Sequence, residues 1–365
     1  MRVAHIELTD FRCYRAAALA PHPGVTALVG DNAQGKTNLL EAVVLCCAGR
    51  SHRTSRDREL VRWGAAAARA QVSAERYDGS HQVDMRILAE GGKAVRVNGS
   101  AIGRSGELMG HINGVLFSPE DLRMVKDGPA ERRRFVDMEL SQIRPSYYYA
   151  LQRYNRALKQ RGCLLREIAH KPGLRATLGD WDAQLAQSGA AIIEHRRAFL
   201  DRLSSAASET HAAIAGGERL KVDYLPSVAS DAAGAALVDA LFRALRAAEK
   251  QDLMRLTTSV GPHRDDLRLS VGGSDVRAYG SQGQQRTAAL SMKLSELKVM
   301  REETGEWPVL MLDDVMSELD PGRRRQLLRM LGGVQAIVTC TDLSDLAGAD
   351  IGACYRVSAG ELTGM

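Results

Sequence analysis

The pattern of apolar and polar positions divides the chain into strand-like and helix-like regions. Residues 3–8 alternate apolar and polar side chains, which predicts a half-buried strand. Residues 25–29 are apolar and partly β-branched, which predicts a buried strand, and residues 38–45 predict a helix after it. Further strands are predicted at residues 17–19, 72–77, 81–89, 94–97, 115–117, 220–224, 267–271, 276–279, 309–312 and 334–338.

From residue 121 onwards the pattern becomes helical. Helices are predicted at residues 131–140, from Pro145 to about 170, at 235–256 and at 284–301. Pro172 and Gly173 break the second of these. A helix of about 40 residues follows, with an apolar stripe that includes Leu178, Trp181, Leu185, Ile192, Phe199 and Leu203. The two helices predict an antiparallel arm of at most ~60 Å, which is too short for a coiled-coil rod.

The loop between the strand at 25–29 and the helix at 38–45 matches the phosphate-binding pattern G-x-x-x-x-G-K-[ST]. Its residues are Gly30, Asp31, Asn32, Ala33, Gln34, Gly35, Lys36 and Thr37. Backbone N–H groups of such a loop, together with the helix N-terminus, bind phosphate oxygens. We expect Lys36 to reach the β- and γ-phosphates and the Thr37 hydroxyl to ligate Mg²⁺. The loop therefore predicts a nucleoside triphosphatase.

The predicted strand at 309–312 ends in two carboxylates, Asp313 and Asp314. In a phosphate-loop fold, an aspartate at the carboxyl end of such a strand holds Mg²⁺. The following carboxylate is placed to polarise the attacking water. Asp313 is therefore the predicted metal ligand together with Thr37, and Asp314 is the predicted catalytic residue together with Lys36.

The spacing of these motifs indicates a large insertion, because Asp313 follows Lys36 by 277 residues. Ser281, Gly283 and Gln284 lie at the start of a predicted helix and offer a hydroxyl, unhindered N–H groups and a positive dipole end. The first loop already surrounds the phosphates of one nucleotide. We therefore expect this second device to close the nucleotide of another subunit, with Asp320 at the same interface.

Positive charge is concentrated in one segment. The chain has a formal net charge of +5, whereas residues 121–171 hold twelve Lys and Arg against six Asp and Glu. The predicted DNA contacts in this segment are Arg132, Arg133, Arg134, Arg153 and Arg156. Tyrosines 147, 148, 149 and 154 lie among them and either stack on bases or belong to the core. A solvated helix face is the alternative interpretation of the whole segment.

A second arginine-rich stretch, residues 49–58, contains Arg53 and Arg56. These two are interpreted as DNA contacts, as partners of the γ-phosphate, or as part of a solvated loop. His263 and Arg264 lie in a polar turn and are interpreted as structural residues.

Composition limits the class of protein. Hydrophobic residues make up 45% and charged residues 25%, which is ordinary for a globular protein. The six cysteines show no C-x-x-C spacing and are interpreted as reduced thiols, most of them buried. The N-terminus lacks the apolar core of a signal peptide, and no apolar run approaches the ~18 residues that span a bilayer. We expect a cytoplasmic protein with no membrane partner.

Together, these motifs resemble the ATP-binding-cassette superfamily. Residues 281–285 match its signature sequence, Asp313-Asp314 its Walker B pair, and residues 317–320 its D-loop. Within the superfamily, the chain resembles the RecF family of bacterial recombination mediators. The matching segments extend from residue 1 to about 345 and include residues 11–14, 30–41, 51–54, 117–122, 261–267 and 280–287.

The resemblance implies an α/β fold in which an ABC-type, SMC-like ATPase lobe with mixed sheets (residues 1–118 and 300–365) carries a helical second lobe (119–299). It implies a weak, DNA-stimulated ATPase that uses ATP and Mg²⁺ and forms a homodimer with ATP. It also implies a cytoplasmic, nucleoid-associated protein that binds single-stranded, gapped or junction DNA. With RecO and RecR, such a protein helps to load the recombinase in gap repair, replication restart and SOS induction.

Two departures from transporter-type cassettes favour a clamp in which bound ATP matters more than turnover. Asp314 stands where transporters have glutamate, and Thr339-Cys340-Thr341 includes no switch histidine. A glutamine loop is not evident after residue 117, where Glu120 or Asp121 takes its place. The alternatives are the ATPase subunit of a transporter and a structural chromosome-organising head. The short arm argues against both.

Overall fold

The computed structural model describes residues 1–365, except for the side chain of Glu318. The strands are β1 Arg2–Phe11, β2 Tyr14–Leu19, β3 Val25–Val29, β4 Ala67–Arg76, β5 Gly79–Leu88, β6 Lys93–Val97, β7 Ser100–Ala101, β8 Gly114–Phe117, β9 Leu220–Leu225, β10 Asp266–Val271, β11 Ser274–Asp275, β12 Val309–Leu312, β13 Ala336–Cys340, β14 Ile351–Ser358 and β15 Glu361–Gly364. The helices are α1 Lys36–Ala48, α2 Leu122–Lys126, α3 Pro129–Ile143, α4 Pro145–Ile168, α5 Leu178–Ile214, α6 Gly234–Arg255, α7 Val276–Tyr279, α8 Gln282–Thr304 and α9 Pro321–Met330.

The chain forms two compact units. The first contains residues 1–122, 210–217 and 289–365, and the second contains residues 123–209 and 218–288. The division into an ATPase lobe and a second lobe, with boundaries at 118/119 and 299/300, remains a prediction. The compact units of the structure change at 122/123 and 288/289 instead.

In the first unit, an antiparallel sheet with the order β2-β1-β4-β5-β6-β7 lies on one side of α1. Its strands follow the period-two rule, so that Ala68, Ala70, Val72 and Ala74 of β4 all face the core. The other side of α1 contacts β8 and β13 of a second sheet. Because both sides are covered, α1 is apolar and buried along most of its length.

The second sheet has the order β15-β14-β3-β13-β12-β8 and is parallel except for β15. Strand β3 lies between β13 and β14, and its last residue, Val29, pairs with Cys340 and Arg356. The carboxyl ends of parallel strands share one edge of the sheet, where ligands bind in open α/β folds. The loops after β3, β12 and β13 therefore meet at one place.

The second unit combines a three-stranded sheet, β11-β10-β9, with helices α3, α4 and α6 and most of α5. Helices α4 and α5 run antiparallel, as predicted. Three layers of contact fix their register: Tyr147 with Arg196, Tyr154 with Gly189, and Arg161 with Asp182. Each layer is seven residues from the next, which is the repeat of a coiled coil. The 37 residues of α5 correspond to roughly 55 Å.

The structure corrects one predicted strand. Residues 276–279 form the helical turn α7 rather than the second strand of a hairpin, and the hairpin partner of β10 is β11 instead. The Asp275 carboxylate accepts hydrogen bonds from the N–H groups of Arg277 and Ala278, at 2.8 and 3.1 Å. This N-cap begins a helix where the β-branched residue Val276 had favoured a strand.

Among the described residues, no helix combines the length and apolar character needed to cross a bilayer.

Candidate functional site

The predicted phosphate loop connects β3 to α1. Asp31, Asn32 and Ala33 are exposed, and α1 begins at Lys36 with no side chain capping its first turn. Within the described part of the chain, the N–H groups of Lys36 and Thr37 are therefore available to a ligand, whereas that of Asn38 already donates to the Gly35 carbonyl at 2.9 Å. Gly35 has a φ of 120°, and a Cβ there would lie 2.6 Å from the Sγ of Cys13. Ala33, the fourth residue of the motif, also has a positive φ.

The Lys36 side chain is buried beneath this loop. Its ammonium group donates to the carbonyl oxygens of Gly30 and Asp31, at 2.6 and 3.2 Å. It also lies 3.9 Å from the Oδ1 atom of Asp314. A cation is thus held at the centre of the loop, next to one of the two strand-end carboxylates.

The two predicted metal ligands are in direct contact. The Thr37 hydroxyl donates to the Oδ1 atom of Asp313 at 2.9 Å, although 276 residues separate them. The pKa of Asp313 is raised above its usual value, chiefly by burial and also by the charge of Asp314. The hydrogen bonds from Thr37 and Thr339 and the charge of Arg53 offset part of this increase. A buried carboxylate beside a hydroxyl is a suitable place for a divalent cation.

Thr339, at the end of β13, is a site residue that sequence reasoning missed. Its hydroxyl donates to the Oδ1 atom of Asp313 at 3.0 Å and accepts from the N–H of Asp314 at 2.8 Å. Asp314 has a φ of 50°, a conformation that this hydrogen bond helps to hold. The signal in the sequence is a polar residue near the end of an apolar strand, and its place beside Asp313 follows from the pairing of β13 with β12.

The residues fit Mg²⁺ of the kind that nucleotides bring with them. No group of three or more His, Cys, Asp or Glu among the described residues could hold a metal alone. Thr37 and Asp313 supply two oxygen ligands, and Mg²⁺ commonly takes its others from phosphates and water.

A buried carboxylate, Glu41, organises the arginine-rich loop beside α1. Arg12 donates two hydrogen bonds to Glu41, at 2.7 and 2.8 Å, and Arg53 lies 3.5 Å from it. Burial raises the pKa of Glu41, but hydrogen bonds from Arg12 and Ser51 and the charges of Arg12 and Arg53 bring it below its usual value. Arg53 also donates to the side chain of Asn38 at 2.9 Å. This places Arg53 near the phosphate loop, whereas Arg56 is exposed and pairs with Glu59.

The turn between β14 and β15 contacts the phosphate loop from the other side. The N–H of Ala359 donates to the Gln34 side chain at 2.6 Å, and the N–H of Gly360 donates to the Gln34 carbonyl at 3.1 Å. Gly360 has a φ of 78°, and a Cβ there would collide with the carbonyl oxygen of Cys13. Cys13 itself is exposed, whereas Cys46, Cys47 and Cys340 are buried and Cys163 and Cys354 are half-buried.

In the second unit, Ser281 and Gln284 begin helix α8. The Ser281 hydroxyl accepts from the N–H of Gln284 at 3.2 Å, and the Gln284 side chain accepts from the N–H of Ser281 at 3.0 Å. This reciprocal pair is a capping box. Ser281 is exposed and Gly283 is half-buried, so that the start of a long helix faces outward.

Asp320, expected at the subunit interface, and Asp121, expected at the glutamine-loop position, both accept hydrogen bonds from nearby backbone N–H groups. Asp320 accepts from the N–H groups of Gly322 and Arg323 at the start of α9, at 2.9 and 3.0 Å, and these bonds lower its pKa. Asp121 accepts from the N–H of Ser118 at 2.7 Å. Glu120 is exposed.

The predicted DNA contacts lie in different environments. Arg132 is buried, pairs with Asp266 at 2.6 Å and donates to the Asp127 carbonyl, so it offers no surface to DNA and we drop it from that set. Arg133 is half-buried and donates to the carbonyl of Asp265 at 2.7 Å. The exposed members are Arg134, Arg153 and Arg156.

The tyrosines of the basic segment divide in the same way. Tyr147 and Tyr154 belong to the core, because the Tyr147 hydroxyl bonds to Asp137 and Tyr154 to His263. They cannot stack on bases. Tyr148 and Tyr149 are half-buried. His263 is structural, as interpreted, because its second nitrogen faces the Thr258 carbonyl at 3.0 Å.

Comparison with known proteins places these features in a family. The family model described as "RecF/RecN/SMC N terminal domain" matches residues 2–361. The chain is 44% identical to the DNA replication and repair protein RecF of Lachnoclostridium phytofermentans, over 94% of each chain. It is 41% identical to the RecF of Lachnospira eligens, over 99% of each.

Solved structures agree. The structure of the recombination mediator protein RecF-ATPrS in the RecFOR pathway is 37% identical, with a TM-score of 0.92 over 100% of this chain and 98% of that chain. The RecF-ATP structure is 36% identical, with a TM-score of 0.93 over 100% and 97%. An Smc head domain of Pyrococcus furiosus, 18% identical with a TM-score of 0.59 over 100% and 96%, shares the fold. The chain therefore belongs to the RecF family of DNA replication and repair proteins.

Proposed function

We propose that this protein binds ATP and DNA, dimerises with ATP, hydrolyses it slowly under stimulation by DNA, and acts at single-strand gaps in recombinational repair. The observation that carries the proposal is the meeting of Lys36, Thr37 and Asp313 below a loop with open N–H groups. Membership of a family with solved ATP complexes supports ATP as the nucleotide.

In the proposed site, residues 30–37 surround the phosphates and Lys36 pairs with the β- and γ-phosphates. Thr37 and Asp313 hold Mg²⁺, which neutralises phosphate charge when it is bound. Asp314 orients the attacking water, and Thr339 fixes both carboxylates. Because aspartate is one methylene shorter than glutamate, its contact with the water is less favourable, which is consistent with slow hydrolysis.

Two subunits complete each site in this proposal. Ser281, Gly283 and Gln284 of one subunit bind the nucleotide held by the other, and Asp320 lies at the same interface. The exposed start of α8, with its positive dipole end, supports this role. DNA is held by the exposed arginines, namely Arg53, Arg56, Arg134, Arg153 and Arg156, with a smaller part for Arg133.

The wider role follows the family. We propose action in the cytoplasm, at the nucleoid, together with RecO and RecR, in loading the recombinase, restarting replication and inducing the SOS response. A transporter subunit and a chromosome-organising head are less well supported. The arm ends after roughly 55 Å, and the likeness to Smc heads concerns the fold alone.

Two complementary variants test the shared site. Lys36→Ala removes the phosphate contact, and Ser281→Arg blocks the signature side, so each variant alone should stay monomeric with ATP in light scattering. Their equimolar mixture should regain ATP-dependent dimers, because one of the two sites in a mixed dimer is intact. Arg243→Ala, at an exposed arginine of α6, is the control and should dimerise like the unmodified chain.

Gel shifts with single-stranded, gapped and duplex DNA, with and without ATP, complete the test. ATP should strengthen binding, and added salt should weaken it steeply because bound counterions are released. Monomers at saturating ATP and micromolar protein, or a mixture of variants that forms no dimer, would contradict the proposal.

A further inference from the structure

A groove of about 700 Å³ runs along the arm between α4 and α5. Arg153, Arg156 and Ala157 line it from α4, and Trp181, Gln184 and Gln187 are among the residues that line it from α5. It lies wholly within the second unit. The proposed function uses only its two arginines, as surface charges.

Contacts near the groove hold the two helices in a fixed register. The guanidinium of Arg161 bonds to Asp182 at 2.7 Å, and the ring of Tyr154 packs against Gly189, whose Cβ position would lie 3.3 Å from it. Ala157 lies on α4 between Tyr154 and Arg161, and its short side chain leaves space. The groove is therefore formed by the packing of the arm itself.

The two arginines of the groove are not paired with other side chains in the described part of the chain. Neither Arg153 nor Arg156 forms a side-chain hydrogen bond or ion pair with another described residue, whereas Arg132 and Arg161 are both paired with carboxylates. They are three residues apart and so project from one face of α4. None of the described residues that line the groove is a carboxylate. The groove therefore suits an anion.

The opposite wall adds groups that recognise bases. Trp181 offers an indole ring, and Gln184 and Gln187 offer exposed carboxamides that both donate and accept hydrogen bonds. Aromatic rings that stack on bases, next to cations that follow the backbone, are the means by which proteins bind single strands. Duplex bases are already stacked and present no face to a ring.

We propose that this groove is a binding site for single-stranded DNA, in which Trp181 stacks on a base and Arg153 and Arg156 pair with neighbouring phosphates. The inference rests on the proposed DNA-binding function and adds to it a site with a strand preference.

The fluorescence of Trp181 itself can report on binding in the groove. The chain has three tryptophans, and Trp63→Phe with Trp307→Phe leaves Trp181 as the only one. Titration of this variant with a 20-nucleotide oligothymidylate should quench its emission in a saturable way, and 0.5 M NaCl should abolish the quenching. A 20-base-pair duplex should not quench the emission even where it pairs with Arg153 or Arg156, because its stacked bases present no face to the ring. Polyglutamate should also leave it unchanged, and equal quenching by polyglutamate would overturn the proposal in favour of unspecific anion binding.

Variants in the otherwise unmodified chain separate stacking from charge. Trp181→Ala should weaken oligothymidylate binding about tenfold or more, while Trp181→Phe keeps most of it, since a ring remains. Log affinity falls linearly with log salt concentration, and Arg153→Ala and Arg156→Ala should each make this line less steep by about 0.7 in slope. Arg243→Ala should change neither quantity.

The outcomes distinguish this site from the function on which it rests. If duplex and gapped DNA bind with ATP but oligothymidylate neither quenches Trp181 nor responds to Trp181→Ala, the groove is not a single-strand site. If no form of DNA binds with or without ATP, the proposed function fails as well.

Discussion

The phosphate loop and the basic segment of the arm (residues 121–171) differ in how well the local sequence predicts the surroundings of each side chain. In the loop, the contacts are local: Gly35 has a positive φ, and Lys36 donates to the carbonyl oxygens of Gly30 and Asp31. In the basic segment, one residue type has three environments: Arg161 is buried between Asp182 and Asp252, Arg133 is half-buried on a carbonyl, and Arg153 is exposed.

The difference comes from where the partners lie in the sequence. A phosphate loop is built from eight consecutive residues, so its local sequence contains most of its geometry. The environment of an arginine depends on carboxylates that other elements supply, such as Asp266 for Arg132, which lies 134 residues away. Net charge therefore predicts that a segment is basic but not which of its cations reach solvent.

The largest effect is expected where a buried charge loses its partner. Arg161→Ala leaves the carboxylates of Asp182 and Asp252 buried and without their shared cation, and removing one partner of a buried pair costs about 3–5 kcal/mol. Arg153→Ala, eight residues earlier on the same helix, should change the free energy of unfolding by less than ~0.5 kcal/mol. Urea unfolding of both variants measures the contrast. Equal stabilities would mean that burial does not separate these arginines.

A smaller effect is expected from acid, through His263. Burial, with contributions from nearby arginines, lowers the pKa of His263 to about 4, below the usual 6.5. The unfolded chain therefore binds a proton between these values that the folded chain does not, so stability falls as pH drops from 6.5 towards 4. The loss attributable to His263 should reach about 2 kcal/mol by pH 4.5.

His263→Asn tests this pH dependence. The amide oxygen of asparagine can accept a hydrogen bond from the Tyr154 hydroxyl, but the amide does not titrate. Unfolding should be compared at pH 7 and pH 4.5 for both proteins. The variant should lose about 2 kcal/mol less than the unmodified chain over this interval. An identical loss in both would show that His263 does not contribute.

The smallest effect is expected at the C-terminal turn of the first unit. Gly360→Ala places a Cβ at a left-handed position and against the Cys13 carbonyl, which displaces the two N–H groups bonded to Gln34. ATP affinity should fall about tenfold, or 1.4 kcal/mol, in a titration with a fluorescent ATP analogue. Gly364→Ala, where nothing lies within 4 Å of the added Cβ, is the control and should bind normally. Unchanged affinity in Gly360→Ala would mean that the loop keeps its shape without the turn.

Most of the fold could be predicted because its elements have strong local patterns. Strands β3 and β12 and helix α5 follow from apolar runs and stripes, and the juxtaposition of Thr37 with Asp313 follows from motif order. The error at residues 276–279 arose because one capping side chain, Asp275, outweighed the local strand preference.

The residues that were missed make contacts distant in sequence. Thr339 joins the site only because β13 lies next to β12, and the sequence of neither strand indicates which strand is its neighbour. The polar stretch 261–266 carries no chemical motif, yet Asp265 bonds to Arg196 and to the N–H of Ser227 in the core of the second unit. Such contacts require the three-dimensional arrangement.

The position of β3 between β13 and β14 has a consequence for synthesis. The strand that leads into the phosphate loop is complete at residue 29, but its neighbours begin at residues 336 and 351. At about 5–20 residues per second, a ribosome needs roughly 15–60 seconds to make the intervening chain. During that time the apolar strand lacks its native partners. Nascent chains should therefore depend on a holding chaperone, and any product of premature termination before residue 336 should be unable to bind nucleotide.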